Sequence, residues 1–168
     1  MTFHVLALAP AAVGLCCLAA DRRRTRALEV GAALLMMLAM WDAAVTAFVP
    51  AAFWTAALVV GGMALAAVRG RVRGLRLGGD DVSMAVHSAA GMVVMAAMML
   101  AMVGGAAVTA ASHHHSGTPA LAVAAVAGAV AYIVASAALA VRSHGRLARA
   151  QYLAMASSVG IMSLSLVV

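Results

Sequence analysis

Methionine and histidine recur at helical spacing in one stretch of this 168-residue chain. Residues three or four apart lie on the same face of an α-helix. Thioether sulfur is a soft ligand that favours Cu(I), and imidazole nitrogen can join it. The pattern therefore predicts one helix face able to hold a soft cation, although methionine also serves simply to fill cores. Its members follow at intervals of 3, 4, 4, 3 and 4: Met84, His87, Gly91, Met95, Met98 and Met102.

Two other stretches follow the same plan. The pentapeptide "MMLAM" occurs at residues 36–40 and again at 98–102. In three places a polar residue precedes a methionine by eleven positions, which is about three helical turns. This similarity predicts equivalent, inward-facing helices and suggests three repeated helical hairpins. The three pairs are Glu29 and Met40, with Met36 between them; His87 and Met98; and Gln151 and Met162.

Two further groups carry metal donors outside these faces. His113, His114 and His115 are consecutive in "SHHHSG". Adjacent imidazoles can bind a divalent metal, but the same run is also typical of a solvated polar loop. Cys16 and Cys17 could bind Cu(I) as thiolates, whereas the commoner case is a pair of small buried thiols.

Carboxylates are rare inside apolar stretches, and two occur here. Glu29 begins a helix, where an acid suits the positive end of the helix dipole. Asp42 lies deeper, and an ionisable residue within a membrane is a functional candidate by default. The alternative for Asp42 is a hydrogen bond to Thr46. Asp42 lies about 140° around the helix from the methionine face, so we expect it on a different side.

Long apolar stretches must position these residues. The chain is 66% hydrophobic and 10% charged, and its mean hydropathy is +1.07. A membrane-spanning helix needs about 20 apolar residues, and barrel strands would alternate instead. We therefore predict an all-α, polytopic membrane helical bundle that forms one domain over residues 1–168. Its six transmembrane helices are Phe3–Ala20, Ala27–Val49, Ala51–Val68, Val82–Val103, Pro119–Val141 and Ala150–Val168.

Arginine predicts the orientation of these helices. All 11 basic residues are arginines, and they lie in the first, third and fifth loops. Cytoplasmic loops collect Lys and Arg, so we expect a plasma-membrane protein with both termini outside. Topology and attraction to anionic lipid headgroups explain the net charge of +6, so no nucleic-acid partner is needed. The predicted partner is the lipid bilayer, with a second copy or another membrane protein as further candidates.

Common catalytic motifs are missing from the sequence. It has no glycine-rich phosphate loop, no HExxH, no CxxC and no nucleophile elbow. We therefore expect a protein without catalytic activity, and copper is the one cofactor that the residues favour.

The stretches "HSAAGMVVMAAMMLAM" and "LLMMLAMWD", within an Ala- and Arg-rich multi-pass layout, resemble a family of actinobacterial integral membrane proteins. That family is catalogued as a domain of unknown function, so the resemblance implies a membrane location and no particular activity. In the family a histidine tends to open the earlier methionine helix, whereas Glu29 and Gly31 occupy that region here.

Three functions remain open at the level of the sequence. The first is binding or handling of Cu(I) along the second, fourth and sixth helices. The second is a structural or partner-binding membrane subunit whose methionines only pack. The third is a proton- or solute-coupled carrier that uses Asp42 and Glu29.

Overall fold

The computed structural model describes residues 2–20, 27–72, 79–110 and 118–164, and almost all of them are helical. This confirms the predicted all-α class. The six α-helices are α1 (Thr2–Ala20), α2 (Ala27–Trp41), α3 (Ala51–Val72), α4 (Gly79–Ala110), α5 (Thr118–Arg142) and α6 (Arg146–Leu164). A short π-helical turn, Asp42–Thr46, continues α2.

Four segments in the described part of the chain are long and apolar enough to cross a membrane. The apolar part of α1 is shorter, Leu6–Ala20, and α6 carries Arg146 and Arg149 in its first turns. A membrane bundle therefore fits the structure, while the six-span count and the three hairpins go beyond it. The four segments are Ala27–Thr46, Ala51–Val68, Ser83–Met102 and Ala120–Arg142.

Helix packing joins the first helix to the last. The most extensive contacts are those of α1 with α6 and of α3 with α4, and α5 packs against both α4 and α6. Small residues allow these close approaches, as is usual between membrane helices. A Cβ added at Gly14 of α1 would lie 3.5 Å from the Cβ of Ala154 on α6. A Cβ added at Gly62 of α3 would lie 3.4 Å from the carbonyl oxygen of Ala89 on α4.

Methionine and alanine dominate the main core. Seven methionines of α2, α4 and α6 belong to one buried cluster, each no more than 6% exposed. Met63 on α3, in contrast, is 66% exposed. The prediction that the methionine faces of the even helices point inward is confirmed. We call these residues the methionine cluster: Met36, Met40, Met92, Met95, Met98, Met99 and Met162.

Candidate functional site

The methionine cluster brings together side chains that are far apart in the sequence. The second helix contributes Met36 and Met40, and α6 contributes Met162, while α4 supplies the remaining four. Met102 is half-buried and packs against the cluster. The structure therefore gathers the methionines predicted from the sequence, Met36, Met40, Met95, Met98 and Met102, around one interior.

A serine hydroxyl contacts one sulfur of the methionine cluster. The Ser158 hydroxyl on α6 donates to the carbonyl oxygen of Ala7 on α1 at 3.1 Å. The same hydroxyl lies 3.7 Å from the sulfur of Met40 on α2, within hydrogen-bonding range for sulfur. The Met40 sulfur thus sits where three helices meet.

Two members of the cluster were not identified from the sequence. Met92 and Met99 are 1% and 3% exposed, although the stripe predicted on α4 omitted both. Gly61 on α3 makes room for Met92, because a Cβ at that position would lie 2.9 Å from the Met92 Cε atom. The missed signal was a second run on α4, Met92, Met95, Met99 and Met102, at intervals of 3, 4 and 3.

His87 lies about 12 Å along α4 from Met95, given the rise per residue, and contacts tyrosines. Its Nε2 atom is 2.8 Å from the Tyr132 hydroxyl. The imidazole stacks on the Tyr132 ring at 4.6 Å and meets the Tyr152 ring edge-on at 4.8 Å. The Tyr152 hydroxyl is 3.2 Å from Ser83 Oγ. We call Ser83, His87, Tyr132 and Tyr152 the His–Tyr cluster.

The His–Tyr cluster was not foreseen as a unit. Its two tyrosines are the only ones in the chain, and both are buried, at 5% and 3% exposure. A tyrosine within an apolar helix is itself a signal, since a buried phenol needs a hydrogen-bond partner. The lack of a side chain at Gly91 lets Tyr132 pack closely against α4. A Cβ at residue 91 would lie only 2.9 Å from the Tyr132 hydroxyl oxygen.

A surface groove runs beside this cluster between α4 and α5. It encloses about 570 Å³. Its polar lining consists of Ser83, His87 and Tyr132. The rest of the wall is apolar and includes Val86, Ala90 and Val94 on α4, and Gly128, Ala131 and Ala135 on α5.

Asp42 has four hydrogen-bond donors for its carboxylate. The Thr46 hydroxyl donates to Oδ1 at 2.5 Å and the Trp54 indole donates to Oδ2 at 2.7 Å. The backbone N–H groups of Phe48 and Val49 donate at 3.0 and 3.1 Å. The structure therefore shows the Thr46 contact that the sequence suggested, and Asp42 organises the turn that leads into α3.

The remaining candidates fall into different environments. Glu29 and Gln151 are buried, at 4% and 3% exposure. Cys16 is exposed and Cys17 half-buried, so the expectation of two buried thiols was wrong. The three histidines of the predicted metal loop, His113, His114 and His115, lie outside the described residues.

Nitrogen, thiolate and carboxylate ligands do not converge in the described part of the chain. No group of three or more His, Cys, Asp or Glu side chains there is placed to hold a metal ion. The methionine sulfurs are therefore the one set of soft donors that the described residues bring together.

Comparison with known proteins gives no relative from which to carry over a function. No protein-family model matches the chain, and no curated protein or solved structure is significantly similar to it.

Proposed function

We propose that the chain is a non-catalytic, multi-pass plasma-membrane protein that binds Cu(I) through its methionine cluster. The observation that carries the proposal is the convergence of seven buried methionines from three helices on one interior. Thioether ligands are uncharged and soft, so they suit Cu(I) better than hard divalent cations, which prefer oxygen. We therefore name a soft monovalent cation as the ligand.

The proposed membrane arrangement has six crossings, with both termini outside and the three arginine loops in the cytoplasm. Arginine placement supports this orientation. Aromatic side chains around the α2–α3 turn support a position of that turn at a membrane interface, which such residues favour. Trp41, Phe48 and Phe53 are 53%, 88% and 60% exposed there.

Replacement of two central methionines tests the proposal. Leucine conserves the volume of methionine and costs under about 1.5 kcal/mol in most cores, but it offers a metal no lone pair. We expect the double variant Met95→Leu/Met98→Leu to remain folded and to lose at least about tenfold in Cu(I) affinity. Cu(I) titration of the purified protein in detergent, under reducing conditions, measures this.

The matched control is Met63→Leu. The side chain of Met63 is exposed on α3, so this variant makes the same chemical change away from the cluster and should bind Cu(I) as the parent does. Equal stoichiometry and affinity in the double variant and the parent would refute the copper proposal. Whether His87 adds a ligand stays a prediction, and His87→Leu in the same titration tests it.

A second function is favoured by the tight packing of the same residues. Met92 and Met98 are 1% exposed, as expected for side chains that only fill space in a structural or partner-binding subunit. That function predicts no saturable Cu(I) binding by the parent protein. The carrier hypothesis is weaker, because four donors already engage the Asp42 carboxylate.

A further inference from the structure

We propose that the groove between α4 and α5 binds a membrane-dissolved isoprenoid quinone, with a quinone carbonyl accepting a hydrogen bond from His87. None of the described residues that line this groove belongs to the methionine cluster, and the test below is made without available copper. The quinone site rests only on the membrane location proposed above.

The groove is elongated along α4 and α5. Its lining runs from Ser83 to Val94 on α4 and, antiparallel to that, from Leu139 to Gly128 on α5. Each run covers eleven helical steps, or about 16 Å. Its volume of about 570 Å³ is within the usual range for small-molecule sites of roughly 300–1,000 Å³. An elongated apolar ligand with a small head fits these dimensions.

Among the described residues, one nitrogen of the buried His87 ring has no hydrogen-bond partner. His87 is 4% exposed, and its Nε2 is bonded to Tyr132. Within the described part of the chain, no hydrogen bond is formed by its other nitrogen, Nδ1. A buried polar atom without a partner is costly and calls for an explanation. A bound ligand would supply the missing partner.

The tautomer of His87 indicates which hydrogen-bonding group the ligand must supply. We assign the Tyr132 hydroxyl as the donor to Nε2, because an imidazole nitrogen is a better acceptor than a phenol oxygen. With that assignment the neutral imidazole carries its proton on Nδ1, a donor for which the described residues supply no acceptor. A carbonyl oxygen on the ligand satisfies that donor.

The depth and charge of the site favour a neutral head. Among the described residues that line the groove, none is charged, so a phosphate or carboxylate would find no counter-ion. His87 also lies four residues, or about 6 Å, inside the apolar segment that begins at Ser83. A phospholipid is the competing ligand, because its ester carbonyl could also accept from Nδ1, but its charged headgroup would find no counter-ion among the described lining residues. A quinone combines an uncharged carbonyl with a long apolar chain.

Competition between two ligands tests the carbonyl contact. Purified protein in detergent, with a Cu(I) chelator present, is mixed with a decyl-substituted benzoquinone and with decylbenzene. The two ligands share a tail and differ in the carbonyls. Native mass spectrometry counts the bound molecules. We expect one quinone per chain and a preference of about tenfold for the quinone, the size of one net hydrogen bond. His87→Leu should abolish the preference.

A larger side chain placed in the groove tests the location of the quinone site. Ala131 is exposed and lines the groove, so Ala131→Leu should reduce quinone binding at least about tenfold. Ala137 is equally exposed on α5 but does not line the groove, so Ala137→Leu should bind as the parent does. Equal binding by the two variants would overturn the location.

Three other results would overturn the proposal. They are no saturable binding, equal affinity for the quinone and decylbenzene in the parent protein, and a bound phospholipid that the quinone does not displace. Because copper is chelated throughout, each of these results is independent of the Cu(I) titration.

Discussion

Asp42 can occupy an apolar chain because its neighbours supply every donor it needs. The π-helical turn brings Thr46 within reach, and Ala47, with a φ of 45°, turns the chain so that the next two N–H groups point back. Trp54, in the first turn of α3, closes the arrangement from the other side. Asp42 therefore joins α2 to α3, which gives a carboxylate in this segment a structural role.

We expect Asp42→Asn to lower the thermal stability of the protein. The asparagine side chain keeps the size of aspartate, but its NH₂ group would face donors, leaving at least one part-buried N–H without its acceptor. Thr46→Val is the matched control, since it removes one donor and keeps the shape. The midpoint of thermal aggregation in detergent should fall further for Asp42→Asn. An Asp42→Asn protein as stable as the parent would contradict this role.

The packing of α4 on α5 depends on the missing side chain of Gly91. The Tyr132 ring is rigid, and a Cβ at residue 91 would lie 3.3 Å from its Cζ atom as well as 2.9 Å from its oxygen. Either the helices must separate or Tyr132 must leave His87. The groove and the His–Tyr cluster thus both require a residue without a side chain at position 91.

Gly91→Ala should therefore destabilise the bundle by about 1–3 kcal/mol, the usual cost of overpacking. Gly128→Ala on the facing helix is the control, because its Cβ would meet Val94 at an ordinary 4.0 Å and alanine favours helix. Thermal denaturation in the same detergent compares the two. Similar midpoints would show that the α4–α5 approach is looser than the structure indicates.

The helices could be predicted closely because apolar length is a local property. The expected end of α2 at Val49 was wrong, since α2 ends at Trp41 and a π-helical turn follows. Side-chain hydrogen bonds to the backbone caused this, and such competition is hard to see in a hydrophobic pattern. The inward methionine faces were predictable from spacing, whereas the pairing of His87 with Tyr132 depends on which helices become neighbours.

Polarity is distributed unevenly over the whole molecule. The sixth helix carries buried Gln151 and Ser158 and packs against both α1 and α5. A helix enclosed by neighbours can keep polar groups that a lipid-exposed helix could not. This explains how α6 can belong to the bundle although its described residues, Arg146–Leu164, are not among the four segments apolar enough to span a membrane.

The orientation of the bundle leads to a labelling experiment. In a background with Cys16→Ser and Cys17→Ser, we expect Arg146→Cys to react with a membrane-impermeant thiol reagent only after the cells are opened. We expect His114→Cys to react in intact cells, because the proposed topology puts the arginine loops in the cytoplasm and residue 114 outside. Labelling of Arg146→Cys in intact cells would reverse or refute the topology.

The contact between α1 and α6 also has a consequence for the order of assembly. About 126 residues separate the end of α1 at Ala20 from the start of α6 at Arg146. At a synthesis rate of roughly 5–20 residues per second, the ribosome completes α1 some 6–25 seconds before it begins α6. During that interval Ala7, fully buried in the finished fold, has no α6 to cover it. Helix α1 thus remains without its most extensive partner while four other α-helices are made, and a ribosome that stalls before Arg146 leaves α1 without that partner.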